Sequence, residues 1–171
     1  MQMLLAVQEC HQRDIIHRNI TTENFLVDFD AHASPQMVVK LNSFSCATSF
    51  KFKGYLQQRV GKMAYNAPEM LRGESYDFKV DVWSLGVVLF EMLTGILPFP
   101  AKNQHLLERM IISRDLNFYR VRESPWFLSL NANSLVQQML VKDPTKRISL
   151  QEAIEHPWFT DKNGKDSQNN C

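Results

Sequence analysis

Apolar and polar positions along this chain fall into a series of helical stretches, interrupted near the start by one pair of short strand-like runs. Residues Leu4 to Ile16 mix apolar and polar positions in a pattern compatible with a helix. Two β-rich runs follow, Phe25 to Phe29 and Met37 to Leu41, joined by a polar stretch containing Ala33-Ser34-Pro35. Together they read as a small antiparallel hairpin. Residues Asn42 to Tyr65 carry neither period, and their polar and basic content predicts a long exposed loop, the least ordered internal region. Pro68 then stands where a first helical turn tolerates proline and Gly73 where a short helix stops. From Val80 to Leu93 the run VDVWSLGVVLFEML is apolar on nearly every face, which a surface helix cannot be, so it is expected at the centre of the domain.

Gly95 and Pro98 end that helix, and three more are predicted at Gln104 to Ile112, Ala132 to Val141 and Leu150 to Glu155. The last opens on a capping box, Ser149 with Glu152 three residues on. Beyond Phe159 the tail DKNGKDSQNNC offers no apolar anchor and is expected to be disordered. With no internal repeat and no second boundary, the pattern predicts one folded unit over residues 1–160 and a polar tail over 161–171. The fold class expected is mainly α, a helical bundle around a buried central helix with one small hairpin.

Composition narrows the class of partner rather than the fold. A chain of 171 residues, 44% hydrophobic and 22% charged, can build one compact domain with a substantial core. A net charge of +1 supplies no single-sign field to hold duplex DNA or an anionic membrane, which leaves small molecules and proteins. Cys10, Cys46 and Cys171 form no Cys-x-x-Cys pair and cannot make a disulfide framework, so a reducing cytosolic or nuclear setting is expected. The apolar run Met3 to Val7 lacks a basic leader and is too short for a signal core or a membrane span; a soluble protein is expected.

Candidate chemistry is concentrated in Ile16-His17-Arg18-Asn19-Ile20-Thr21-Thr22-Glu23-Asn24-Phe25-Leu26, between the first helix and the hairpin. This run resembles the protein-kinase catalytic loop, H-R-D-L-K-x-x-N. Further matches follow in family order. Val39-Lys40-Leu41-Asn42-Ser43-Phe44-Ser45 stands at the metal-binding D-F-G, Tyr65-Asn66-Ala67-Pro68-Glu69 resembles A-P-E, and Asp81-Val82-Trp83-Ser84-Leu85-Gly86 resembles the central-helix signature. Asp143-Pro144-Thr145-Lys146-Arg147 and His156-Pro157-Trp158-Phe159 resemble the closing motifs. Glu23-Asn24-Phe25-Leu26 with Leu71-Arg72-Gly73-Glu74 looks closest to the calcium- and calmodulin-dependent serine/threonine branch. An unrelated helical domain conflicts with six ordered motifs.

The resemblance implies the large, mainly helical lobe of a eukaryotic protein kinase, with the hairpin carrying the catalytic loop. It implies that Asp81 holds that loop through backbone N–H groups, that Glu69 and Arg147 form a partly buried ion pair, and that His17 and Phe44 belong to a stacked hydrophobic spine. Leu26 would floor an adenine site. The plainer readings are an N-terminal cap for Asp81 and ordinary solvated charges for Glu69 and Arg147. Arg18 would bind a phosphate on the following segment, which Thr48 or Ser49 could carry; an unmodified loop is the simpler expectation.

Departures from the family pattern decide the expected chemistry. Asn19 replaces the base aspartate, and its neutral amide accepts no proton at useful pH; losing a general base costs on the order of 10²- to 10⁴-fold in rate. Ser43 replaces the D-F-G aspartate, leaving Asn24 as the other metal-ligand position, and a hydroxyl with an amide is a poor magnesium pair. Thr21 stands at the catalytic-loop lysine, while Lys62, after Gly61, stands at a family threonine, which reads either as a reciprocal exchange or as independent drift. Only sixteen residues precede His17, so the family's glycine-rich loop, strand lysine, helix glutamate and hinge are not among these residues. The expectation is an inactive pseudokinase or kinase fragment acting as a protein-binding module, with no cofactor for this chain alone. The alternative is the large lobe of a longer ATP- and magnesium-dependent serine/threonine kinase. The face that a small lobe covers, around Leu26 and Phe44, is expected to be open to a protein partner.

Overall fold

The computed structural model describes residues 1–28, 37–51, 56–116 and 129–161. The protein is mainly helical. Helix α1 (Gln2–Gln12) leads into strand β1 (Ile15–Ile16), a 3-10 turn at Thr22–Asn24, strands β2 (Phe25–Asp28) and β3 (Val38–Leu41), a second 3-10 turn at Phe44–Cys46 and strand β4 (Thr48–Ser49). A third 3-10 turn, Met63–Tyr65, precedes helices α2 (Pro68–Arg72), α3 (Lys79–Thr94), α4 (Gln104–Ser113), α5 (Leu130–Met139), α6 (Leu150–Ile154) and α7 (Pro157–Thr160).

Helix α3 is the axis of the domain. Ten of its residues, from Val80 through Val88 and again at Phe90, are buried, and α5, α1 and the Met63–Tyr65 turn pack against it. Fully burying an aliphatic or aromatic side chain contributes roughly 1.5–3 kcal/mol, so Val80, Val82, Trp83, Leu85, Val87, Val88 and Phe90 make this helix the main source of core stability. Gly86 lets α5 approach it, since a Cβ there would stand 2.8 Å from the Met139 Cβ. The stops read from sequence are present as left-handed C-caps, Gly73 at φ 69° and Gly95 at φ 74°. Ser149 and Glu152 complete the capping box on α6.

The hairpin pairs Phe25 with Leu41 and Asp28 with Val38 in antiparallel register, within the runs the sequence marked. Two expectations are corrected. Helix α1 ends at Gln12 rather than continuing to Ile16, because Asp14 turns the chain at φ 55° and Ile15–Ile16 pair with Ser49 and Thr48. The segment from Asn42 to Tyr65 is not a bare loop: two 3-10 turns, β4 and a bridge from Leu56 to Tyr76 order its described residues. Helix α7 was not foreseen; Pro157 starts it and the His156 ring accepts from the Trp158 N–H. The tail expected to be disordered lies, after Asp161, outside the described residues. Among the described residues no helix is long and apolar enough to cross a membrane.

Candidate functional site

The residues from His17 to Asn24 form a tight loop held from below by α3. Asp81, wholly buried in the first turn of α3, accepts the His17 N–H on Oδ2 and the Arg18 N–H on Oδ1, each at 2.8 Å. It does not cap its own helix, where Phe78 is the N-cap. A third partner was invisible in the sequence: His11 Nε2 lies 2.9 Å from Asp81 Oδ2, bringing α1 onto the same carboxylate. Nothing near His11 in the chain marks it, since its partner is seventy positions away. Such bonds compensate the desolvation of a buried carboxylate and hold Arg18 at φ 62°, a conformation non-glycine residues seldom adopt.

His17 is buried and neutral, because burial pushes its pKa below the ordinary histidine value despite the opposing pull of Asp81. Its Nδ1 faces the Asn19 N–H at 3.3 Å, which places the proton on Nε2, 3.1 Å from the Asn42 carbonyl oxygen. The imidazole meets the Phe44 ring edge-on at 4.9 Å between centroids. Phe44 is 48% exposed and Leu26 49%; Val38 is exposed on the same hairpin face as Leu26, and Val27 on the opposite one.

Asn19 and Asn24 are tied together, the Asn24 amide donating to the Asn19 carbonyl oxygen at 2.7 Å. Ser43 sits at φ 63° just before the Phe44 turn. Gly61, at φ 78°, closes the loop from the other side, and a Cβ there would run into the Arg18 carbonyl oxygen. Thr21 is buried and its hydroxyl lacks a partner among the described residues, while Lys62 pairs with the exposed Glu23 at 2.9 Å. Lys62 thus stands over the catalytic loop but bonds two residues beyond Thr21.

A second polar chain crosses the loop. Tyr65 donates to Glu91 Oε2 at 2.6 Å and lies 3.2 Å from the Thr22 hydroxyl. Burial, and then the bond to Glu91, push its phenol up to about 12. A pKa raised on folding stabilises the folded state below the usual tyrosine value near 10, and that contribution is lost as pH rises from about 10 to 12. Tyr65→Phe is therefore expected to flatten the fall in stability between about pH 10 and 12, as urea titrations at each pH would reveal. An equal slope in both proteins would refute the assignment.

The far side of the domain carries the other expected contact. Glu69 on α2 and Arg147, after α5, meet in a two-pronged pair at 2.6 and 2.9 Å, both side chains essentially without solvent exposure. The Arg147 guanidinium also donates to the carbonyl oxygens of Val141 and Lys79, at 2.9 and 2.8 Å, and lies 5.1 Å from the centre of the Trp83 ring. Neither residue is the solvated charge of the plainer reading.

Loop, hairpin, central aspartate and distal ion pair together are the arrangement of a protein kinase domain. The chain belongs to the protein kinase family, its residues 1–159 matching the protein kinase domain. It is 36% identical over 165 residues to calcium-dependent protein kinase 14 of Arabidopsis thaliana, covering 96% of this chain and 29% of that protein. Calcium-dependent protein kinase 29 of the same plant is 35% identical over 161 residues, 94% of this chain and 29% of the relative. Serine/threonine-protein kinase SIK2 of Gallus gallus is 36% identical over 159 residues, 92% of this chain and 18% of the relative. The chain thus spans less than a third of each of these curated relatives.

Protein kinases work on ATP held with magnesium. The residues at the two metal-ligand positions fit that ion poorly: Ser43 offers a neutral hydroxyl and Asn24 a neutral amide oxygen, with no carboxylate at either. Magnesium is held by carboxylates and phosphate oxygens in near-octahedral geometry. Among the described residues no group of three or more His, Cys, Asp or Glu is positioned to hold a metal ion.

Proposed function

We propose that this chain is a catalytically inactive kinase-like domain that serves as a protein-binding module. The observation that carries this reading is the contrast between scaffold and chemistry. Asp81, His17, Arg18, Glu69 and Arg147 make a full set of buried contacts, while Asn19 and Ser43 leave the base and metal positions without a carboxylate. Phosphoryl transfer depends on those groups for orientation and charge stabilisation, whereas a binding surface depends only on the scaffold. The half-exposed apolar groups around Leu26, Val38 and Phe44 are the surface this reading assigns to a protein partner. The free thiols of Cys10 and Cys46 suit a reducing compartment, cytosolic or nuclear.

A second reading is the large lobe of a longer ATP-dependent serine/threonine protein kinase acting on protein substrates. The names of the relatives favour it, as does Asn24, retained at its family position. Isothermal titration with ATP, with and without magnesium, of the longest transcript product that contains this chain separates the two. No magnesium-dependent binding is expected; binding that requires magnesium, or autophosphorylation, would favour the enzyme.

A further inference from the structure

We infer that Arg18, Gln58 and Tyr76 form a latch that holds both ends of the segment between the hairpin and α2 without any phosphate. Arg18 is buried, and a buried guanidinium must place its donors or carry a large desolvation cost. Its Nε donates to the Cys46 carbonyl oxygen at 2.7 Å, at the beginning of the segment. Its Nη1 donates to Gln58 Oε1, near the end, and to the hydroxyl of Tyr76, which follows α2, both at 3.2 Å. One planar side chain thus spans two stretches twelve positions apart and ties both to the start of α3 through the Asp81 bond to its own N–H.

Tyr76 makes the far end rigid. Its hydroxyl accepts from Arg18 and donates to the Gln58 carbonyl oxygen at 2.8 Å, and its N–H donates to the Leu56 carbonyl oxygen at 3.0 Å. The Asn66 amide adds a bond to the Val60 carbonyl oxygen at 2.9 Å. At the near end, Thr48 and Ser49 are already paired as β4 against β1. The guanidinium acceptors are a carbonyl, an amide and a phenol, all neutral. They take up the Nε and Nη1 donors of the guanidinium that the family resemblance would assign to a phosphate on the segment. The path of residues 56–60 therefore belongs to the unmodified chain. This assignment stands whether or not the domain is an enzyme.

Amide hydrogen exchange on the chain made in bacteria, its unphosphorylated mass verified, provides the test. The Tyr76 amide is expected to be protected in that material, and Gln58→Ala with Tyr76→Phe should speed its exchange about tenfold, the effect of losing hydrogen bonds of ordinary strength. The amides of α3 serve as the control that the variant is folded. Phosphatase treatment of chain made in eukaryotic cells, or millimolar inorganic phosphate added to the bacterial material, should leave the Tyr76 rate unchanged. If Tyr76 is unprotected in the unmodified chain, or gains about tenfold in protection on phosphorylation or with phosphate, the latch is anion-dependent and the inference fails. The phosphate comparison needs no variant, so a double variant that does not fold leaves the decision intact.

Discussion

A polypeptide of these 171 residues carrying Asn19→Asp, Ser43→Asp, Thr21→Lys and Lys62→Thr will transfer no measurable phosphate from ATP to a basic peptide. The four changes restore the orienting carboxylate, the metal-ligand carboxylate and the loop lysine. Moving the lysine rather than adding one avoids a second ammonium above the loop, where Lys62 now lies on Glu23. Restoring a general base recovers on the order of 10²- to 10⁴-fold. Holding the reactants in place is the larger effect, worth roughly 7 to 11 kcal/mol in well-oriented systems. In the family that task falls to a glycine-rich loop, a strand lysine and a helix glutamate, none of which is among these residues. Leu26 and Phe44 are about half exposed among the described residues. Radiolabelled ATP, magnesium and the peptide, supplied to the quadruple variant alone and fused to a kinase small lobe, distinguish the terms. Turnover only in the fusion is the expected result; clear turnover by the unfused variant would show that positioning from above is dispensable.

Arg147→Met will destabilise the domain by about 3–5 kcal/mol, the usual effect of leaving one partner of a buried ion pair unpaired. Glu69 is 1% exposed and would keep a carboxylate with neither water nor a cation beside it. For a domain of this length the midpoint of thermal unfolding should drop by roughly 6–20 °C. The double variant Glu69→Met with Arg147→Met should recover part of that loss, because apolar pairs of similar volume often replace buried ion pairs without cost. Recovery will be incomplete, since the Val141 and Lys79 carbonyl oxygens also lose their donor. Arg147→Lys keeps the charge but not the planar fork and should fall between the two. Chemical denaturation of the parent, Glu69→Met, Arg147→Met and the double variant gives the coupling energy directly. An Arg147→Met variant within about 1 kcal/mol of the parent would mean the pair contributes no more than a surface salt bridge.

These two expectations concern opposite ends of one design. The contacts that define the family's scaffold are present with good geometry, and they are buried, where losing a partner is most destabilising. The substituted positions, Asn19, Thr21 and Ser43, carry neutral side chains, and none of the buried ion-pair or Asp81 contacts involves their side chains. Replacement of the carboxylates at these positions and retention of the fold are therefore compatible in one sequence.

Much of this protein was legible in the chain itself. The all-round apolar run from Val80 to Leu93 could only be a buried helix, and Pro68, Gly73, Gly95 and Ser149 with Glu152 punctuated their helices where the structure has them. The lost carboxylates needed no structure, since side-chain identity alone removes their charge. Periodicity and capping act within about four residues, so their evidence is local and survives in a linear reading. What the tertiary structure decided involves partners far apart. Ile15 and Ile16 leave a helical pattern because Thr48 and Ser49 offer a strand to pair with. Residues 42–65 look structureless in sequence because the bonds ordering them come from Arg18 and Tyr76, outside the segment. His11 reaches Asp81, and Tyr65 reaches Glu91, only when α3 is in place. Those hydrogen bonds are short and directional, and no residue pattern within a few positions reports on a partner dozens of positions away.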